Sequence, residues 1–404
     1  MIKILHTADW HIGKKLFKKS LDEDIQLFFD WLINYINNEE VDVLIVAGDI
    51  FDMANPSHSS RRLYYSILKE LVQTGVKVII TSGNHDSPTN LQASSDILKV
   101  LDIHVVGGVT DDVSQEVITF SKNGEDIVFA AVPFLRDKDL REGSQLNDPS
   151  NRVEQVRNGI LDHYSSIRDY IQKSYPQCVS VGIGHLYLQS AKISDSERDI
   201  QIGNQAGISS KSLDGMFDYF ALGHIHRPQA FNGGKISYSG SPIALSFSER
   251  ADQKQVNLIE ISSRDVKFTK VPLPKFRELI KLKGDFKTVK SKLESDLKVH
   301  APLVSYVEIE IVENEYSTSL LQEINDYLVN YNHDQFIILK ERIIFNKSPK
   351  SLSQQLGNIQ INDLKPGEVF DRRLETEDFD TKSKEDIKDA FLQLLDKAYL
   401  SIED

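Results

Sequence analysis

Gly83-Asn84-His85-Asp86 follows a largely apolar run, Val76 to Ile80, that reads as a buried strand. A strand ending this way hands small and polar groups to the C-terminal edge of a sheet, where open α/β sheets bind ligands. Asn84 can offer an amide oxygen to a hard cation. His85 can bind a metal or move a proton near neutral pH. On its own the tetrapeptide is also compatible with a turn carrying a surface histidine.

The stretches before it repeat the arrangement. Ile2 to Thr7 reads as a first strand, followed by Asp9-Trp10-His11, whose Asp and His point the same way from extended backbone. Lys14, Lys15, Lys18 and Lys19 make a basic loop next to this half-site, suited to phosphate or simply to solvent. Ser20 to Asn37 reads as an amphipathic helix with the stripe Ile25, Phe28, Phe29, Leu32 and Ile36, and Ser20 and Glu23 have capping-box spacing. The apolar run Val43 to Ala47 is a second strand ending in Gly48-Asp49-Ile50-Phe51-Asp52, and Arg61 to Thr74 a second helix. Strands alternating with helices in this way predict a parallel sheet covered by helices.

Further strand-like runs follow. Val179 to Gly184 ends at His185, and Tyr219 to Leu222 ends in Gly223-His224-Ile225-His226. Val128 to Val132, Ile236 to Ser239, Val256 to Ile261 and Val266 to Val271 complete the series, the last two as an antiparallel pair. The expected fold is α/β: two packed β layers flanked by helices over residues 1–272. Pro272-Leu273-Pro274 marks a boundary. Beyond it, 273–348 alternates strand and helix as a small α+β module, and 349–404 is an acidic, helical C-terminal region. Ser383 would cap its last helix, with the stripe Ile387, Phe391, Leu394, Leu395, Ala398 and Ile402, suited to its own domain or to a partner protein.

The composition narrows the classes. With 404 residues, 40% apolar and 26% charged, the chain has ample core for more than one domain. One cysteine, Cys178, excludes an internal disulfide, reads as a core thiol, and fits a reducing cytoplasm. The sequence shows neither a signal peptide nor a membrane span. A net charge of −13 argues against a basic footprint over the whole molecule, so a polyanionic substrate needs local basic groups or metal ions.

Asp9, His11, Asp49, Asn84, His185, His224 and His226 are too many ligands for one tetrahedral ion. They suit two ions sharing a carboxylate, with Asp49 the best candidate to bridge. Mixed Asp, Asn and His ligands favour Mn²⁺ or Fe²⁺, with Zn²⁺ also open. Two ions ~3.5–4 Å apart can clamp a phosphoryl group and activate water. His85, next to a ligand, is then free to stabilise developing charge or protonate a leaving oxygen. Asp52 and Asp86 read as supporting residues and His6 as a core histidine. His58, His104, His163, His300 and His333 read as structural or surface residues. Arg61, Arg62, Arg198 and Arg250 are open to phosphate contact or to solvent.

The ordered series D-x-H, G-D-x-x-D, G-N-H-D, G-H and G-H-x-H resembles the calcineurin-like metallophosphoesterases. Thr7 to Gly13, Gly48 to Asp52, Ser194 to Arg198, Ala221 to Gln229 and Gly240-Ser241-Pro242 are similar to the SbcD nuclease family within that group, as is Leu364 to Phe370 in the tail. The resemblance implies one metal held by Asp9, His11, Asp49 and His226, a second by Asp49, Asn84, His185 and His224, and His85 as the catalytic histidine. It implies a Mn²⁺-dependent exonuclease and endonuclease acting on double-stranded DNA ends and hairpins, in DNA repair and recombination. It also implies an SbcC-type, SMC-like ATPase as partner, a homodimer within a heterotetramer, a DNA-capping role for 273–348 and an ATPase-binding role for 349–404. Two other readings use the same residues: a phosphodiesterase for small or protein-bound phosphoesters, and a non-catalytic scaffold. The segment after residue 272 speaks against the first, and the complete ligand series against the second.

Overall fold

The computed structural model describes residues 1–137, 139–140, 152–200, 204–294 and 300–347, with isolated helical positions between 370 and 394. Strand β1 (Ile2–Thr7) leads to a short hairpin, β2 (Lys15–Leu16) and β3 (Lys19–Ser20), then α1 (Asp22–Glu39), β4 (Val43–Ala47), α2 (His58–Thr74) and β5 (Lys77–Thr81). Helices α3 (Pro88–Gln92) and α4 (Ser95–Val100) precede β6 (Ile103–Val106), β7 (Val117–Lys122), β8 (Glu125–Ala131), α5 (Arg152–Ser174) and β9 (Val179–His185). Strands β10 (Tyr219–Gly223), β11 (Gln229–Phe231), β12 (Ile236–Tyr238), β13 (Gln255–Ser262) and β14 (Asp265–Pro272) follow.

These strands form two six-stranded sheets, in the orders β14-β13-β1-β4-β5-β6 and β11-β12-β10-β9-β8-β7. Strands β1, β4, β5 and β6 run parallel, as do β8, β9, β10 and β12. All five residues of β4 are buried, because both of its faces are covered. One face packs sheet on sheet, through Ile4, Val43, Ile45 and Ile79 against Phe129, Val181, Ile183 and Ala221. The other lies under α1 and α2, through Leu44, Val46 and Ile80 against Phe28, Leu32, Tyr64 and Leu68. The second sheet is covered by α5, whose Val156, Ile160, Tyr164, Ile167 and Ile171 recur at helical spacing. The expected four layers, helix, sheet, sheet, helix, are therefore present.

Two local expectations change. The Ser20–Glu23 capping box does not form: Ser20 belongs to the hairpin and its Oγ accepts instead from the amide of Asp22, where the helix starts, at 3.2 Å. The basic loop is that hairpin, with left-handed backbone at Phe17 and Lys18 to turn it. Helix α2 starts earlier than Arg61, at His58, because Ser57 accepts the Ser60 amide at 3.1 Å. Cys178 is only half-buried, one residue before β9. Pro272 ends the edge strand β14, a position where a missing N–H costs no sheet pairing.

Strands β15 (Leu279–Gly284), β16 (Ser305–Glu315) and β17 (Phe336–Lys347) form a third sheet, with α6 (Phe286–Glu294) and α7 (Thr318–Asn330) between them in sequence. By packing, the chain divides into Met1–Lys281 with Lys298–Glu308 and His333–Lys340, and a second unit of Leu282–Leu297, Ile309–Asn332 and Glu341–Asp404. In the second unit, Phe286, Val289 and Leu293 of α6 and Ile324 of α7 are buried. Positions 383–384, 387–388, 390–391 and 394 are helical; Leu395, Ala398 and Ile402 of the expected stripe lie outside the described residues.

Candidate metal centre

The seven expected ligands converge at the C-terminal ends of β1, β4, β5, β9 and β10, which the two sheets bring to one edge. All are buried except Asn84, which is partly exposed. The loops that present them are tight. Asp9, His11, Asp49 and His224 all have positive φ, between 46° and 101°. Such backbone costs on the order of 1–3 kcal/mol per residue and persists only where the surroundings impose it, typically at functional sites.

The glycines before the ligands are required by close approach. A Cβ on Gly83 would lie 2.1 Å from Asp49 Oδ1, and one on Gly223 would lie 1.8 Å from the Ala47 carbonyl oxygen. The Gly-Asn-His and Gly-His spellings thus reflect crowding around the ligands as well as turn geometry.

Three groups bring ligand atoms within 4.8 Å of one another among the described residues: Asp9, His11 and His226; Asp49, His185 and His224; and, sharing His11 with the first, His11, Asp52 and His85. His11 Nε2 and His226 Nε2 face each other at 3.0 Å. Asp49 Oδ2 lies 3.5 Å from His11 Nε2 and 3.4 Å from His185 Nε2, so it stands between the groups. Asn84 Oδ1 is 2.9 Å from His185 Nε2 and 3.2 Å from His224 Nδ1.

Asp9 Oδ1 accepts from the His224 amide at 2.9 Å, while its buried Oδ2 has no partner. Asp49 Oδ1 accepts from the His85 amide at 2.9 Å, leaving Oδ2 for the centre. His185 Nδ1 donates to the Ala47 carbonyl at 3.0 Å, which turns the Nε2 lone pair inward. Unpartnered buried oxygens and converging imidazole nitrogens are stabilised by divalent cations, and the mixed oxygen and nitrogen set fits two of them.

The charges follow from burial and proximity. Burial raises the Asp9 carboxyl to about 6, against the pull of His185 and His226. Burial would also raise Asp49, but His185, His11 and His85 outweigh it and hold it well below the usual carboxylate range. Burial would lower His185, yet Asp49 and Asp9 raise it to about 9. Burial lowers His11 to about 4. Without cations, then, Asp49 and His185 form a buried ion pair.

His85 stands one residue from Asn84. Its Nδ1 donates to the Asp52 carbonyl at 2.8 Å, and its Nε2 lies 4.0 Å from Asp49 Oδ2. Its ring packs edge-on against His11, centroids 4.6 Å apart. Burial lowers its pKa, so it is neutral at pH 7 with the Nε2 lone pair free.

Asp86 accepts from the amides of Ile50, Phe51 and Gly83 at 2.8–3.1 Å, tying two ligand loops together. Asp52 Oδ1 lies 3.4 Å from His11 Nδ1 and 3.0 Å from Lys14 Nζ. His6 is buried away from the ligands, 3.1 Å from the Tyr219 hydroxyl. His163 pairs with Glu116 at 2.8 Å and His104 lies 2.9 Å from Lys77 Nζ, both outside the centre. Arg61, Arg62, Arg198 and Arg250 are exposed. Of these, Arg198 lies close enough for its charge to act on His85. Sequence reasoning assigned no role to Ser196, Glu197, Glu249 and Lys254, which pack behind His226. They come from segments about 30 residues before it and 25 after it, and no spacing rule links them.

Comparison with known proteins agrees with this geometry. A family profile described as calcineurin-like phosphoesterase matches residues 2–228, and one described as type 5 capsule protein repressor C-terminal domain matches 275–378. The SbcD component of the SbcCD nuclease from Escherichia coli K12 is 30% identical over 98% of both chains. The proteins of the same name from Bacillus subtilis and Rhodobacter capsulatus are 31% and 32% identical, each over 70% of this chain and over 72% and 71% of their own lengths respectively. The chain belongs to the SbcD nuclease family of calcineurin-like phosphoesterases. Its class is accordingly that of a metal-dependent nuclease.

Proposed function

We propose that this chain cuts double-stranded DNA at ends, as a 3′–5′ exonuclease, and at hairpins, as an endonuclease, using two Mn²⁺ ions. The carrying observation is Asp49, one of whose oxygens stands within 3.5 Å of imidazole nitrogens from both sheets. Asp9, His11, Asp49 and His226 would hold one ion; Asp49, Asn84, His185 and His224 would hold the other. When bound, such a pair polarises the phosphoryl group and makes water nucleophilic at neutral pH.

The chain's own groups do the rest. The Ala47 carbonyl and the His85 amide fix His185 and Asp49 before substrate arrives. His85, neutral and oriented by the Asp52 carbonyl, offers Nε2 to the scissile phosphate. The negative charge of a phosphodiester raises the basicity of that nitrogen. His85 can then hold a proton for the leaving oxygen or stabilise the charge that develops on it.

The partner reading is an SbcC-type, SMC-like ATPase, with 349–404 as its binding region and 273–348 capping the DNA. The net charge of −13 supports it, since this chain alone supplies little general attraction for a polyanion. A homodimer within that assembly is supported by an exposed apolar face on α2 and α4, made by Tyr65, Ile97, Val100 and Leu101. The complex would work in the cytoplasm, on the nucleoid.

The test is cleavage of duplex ends and hairpins with and without the ATPase, in Mn²⁺, Mg²⁺ and Zn²⁺, beside turnover of a chromogenic diester. Duplex cleavage in Mn²⁺, strengthened by the ATPase, is expected. Diester turnover with no DNA cleavage even with the ATPase would replace this reading by the small-phosphoester one.

A further inference from the structure

Behind His226 lies a buried ionic group that the chemistry above does not use. Glu249 has no exposed surface and Lys254 very little, and Lys254 Nζ meets Glu249 Oε2 at 2.5 Å. Desolvating such a pair offsets much of its Coulomb attraction, so its presence calls for a reason other than stability.

Glu249 Oε1 accepts the hydroxyl proton of Ser196, and Ser196 Oγ lies 2.6 Å from His226 Nδ1. With its proton given to Glu249, the hydroxyl can only accept from Nδ1–H. This fixes the tautomer that leaves the lone pair on Nε2, the atom facing His11. The main chain of His226 is held as well: its amide donates to Glu197 Oε1 at 2.9 Å, and its carbonyl accepts from Lys254 Nζ at 2.9 Å. The ring is therefore held through Nδ1, and the main chain at both its amide and its carbonyl. His185, in the other group of ligands, has a different support: its Nδ1 faces the Ala47 carbonyl and its main chain lies in β9 beside Gly223.

We propose that Glu249, acting through Ser196, is a positioning residue for His226 and selectively sets the affinity of the ion position formed by Asp9, His11, Asp49 and His226. The inference rests on the two-ion reading. It adds that the two positions are supported by different chemistry and can be weakened separately.

The test titrates the metal-free, full-length chain with Mn²⁺ by calorimetry, and follows free Mn²⁺ by its paramagnetic resonance signal. The unaltered protein binds two ions. Ser196→Ala and Glu249→Gln keep one at unchanged affinity and bind the other about 10–100-fold more weakly, the usual cost of losing a group that orients a ligand. Ser196→Thr, which keeps the hydroxyl, restores it. Melting of the metal-free proteins checks folding. If Glu249→Gln is unfolded, Ser196→Ala decides alone, since it leaves the Glu249–Lys254 pair in place. Two ions at full affinity in Ser196→Ala overturn the proposal, and so does equal weakening of both. Fewer than two ions in the unaltered protein would instead remove the two-ion reading, and this inference with it.

Discussion

The two sheets contribute differently to the centre. The edge of the first supplies every candidate oxygen ligand, Asp9, Asp49 and Asn84, along with His11 and the neighbouring His85. The edge of the second supplies only imidazoles, from His185, His224 and His226. Neither edge could hold two cations alone: one gathers acids in a buried place, the other gathers bases. Packed together they neutralise each other, Asp49 against His185 and Asp9 against the His224 amide. The centre is thus a property of the interface between sheets, and changes to it should be ranked by how much of that interface they touch.

Asp49→Ala touches most, because it removes the one group shared by both halves. Cleavage should fall further than for any other single change, and calorimetry should find neither Mn²⁺ bound at its original affinity. His85→Asn comes next. It should lower cleavage by about 10²–10⁴-fold, the range for a lost proton-transfer group, while both ions still bind. Loss of the ions in that variant would move His85 from chemistry to structure.

Gly223→Ala tests the interface away from the donor atoms. Its Cβ would meet the Ala47 carbonyl oxygen at 1.8 Å, so the sheets must part. Thermal melting should show a loss at or above the upper end of the ~1–3 kcal/mol typical of overpacking. The smallest expected effect is that of pH. His185 is raised from 6.5 to about 9 by its acid partners. Its charged form stabilises the metal-free fold fully below 6.5, and that contribution is lost as pH rises through about 9. A bound ion must displace that proton, so Mn²⁺ affinity should climb with pH up to that point, by about tenfold per pH unit for each proton displaced. Titrations at pH 6.5, 7.5 and 8.5 would read the slope; a flat profile would mean His185 is already neutral.

The centre was legible because its ligands sit where apolar runs stop. Asp9, Asp49, Asn84, His185 and His224 each follow or end a strand within a few residues, so finding the strands located the ligands. The two-sheet core was legible for a related reason: strands covered on both faces, such as Val43–Ala47, are spelled without polar residues. What escaped depends on distance in the chain. Ser196 lies in a bend, Glu249 in a short 3-10 helix and Lys254 just before β13, and they meet His226 only once β10 and β13 are in place. Helix α5 is different, since Val156, Ile160, Tyr164, Ile167 and Ile171 carry a readable helical period that attention to strand ends passes over. Ser20 was legible only in part: it closes the hairpin opposite Lys15, and its hydroxyl takes the Asp22 amide in place of the Glu23 one that the capping-box spelling suggests.

One peptide unit joins these observations. The Ala47 carbonyl oxygen ends a strand of the first sheet, receives the His185 Nδ1 proton from the second, and leaves no room for a side chain at residue 223. Orientation of a ligand and spacing of the layers are therefore gauged against the same atom. Any loosening between the layers, by heat or by a remote cavity, should reach the imidazole before it reaches the bulk of the core. Such a protein would fall silent while its helices and strands still looked intact to spectroscopy.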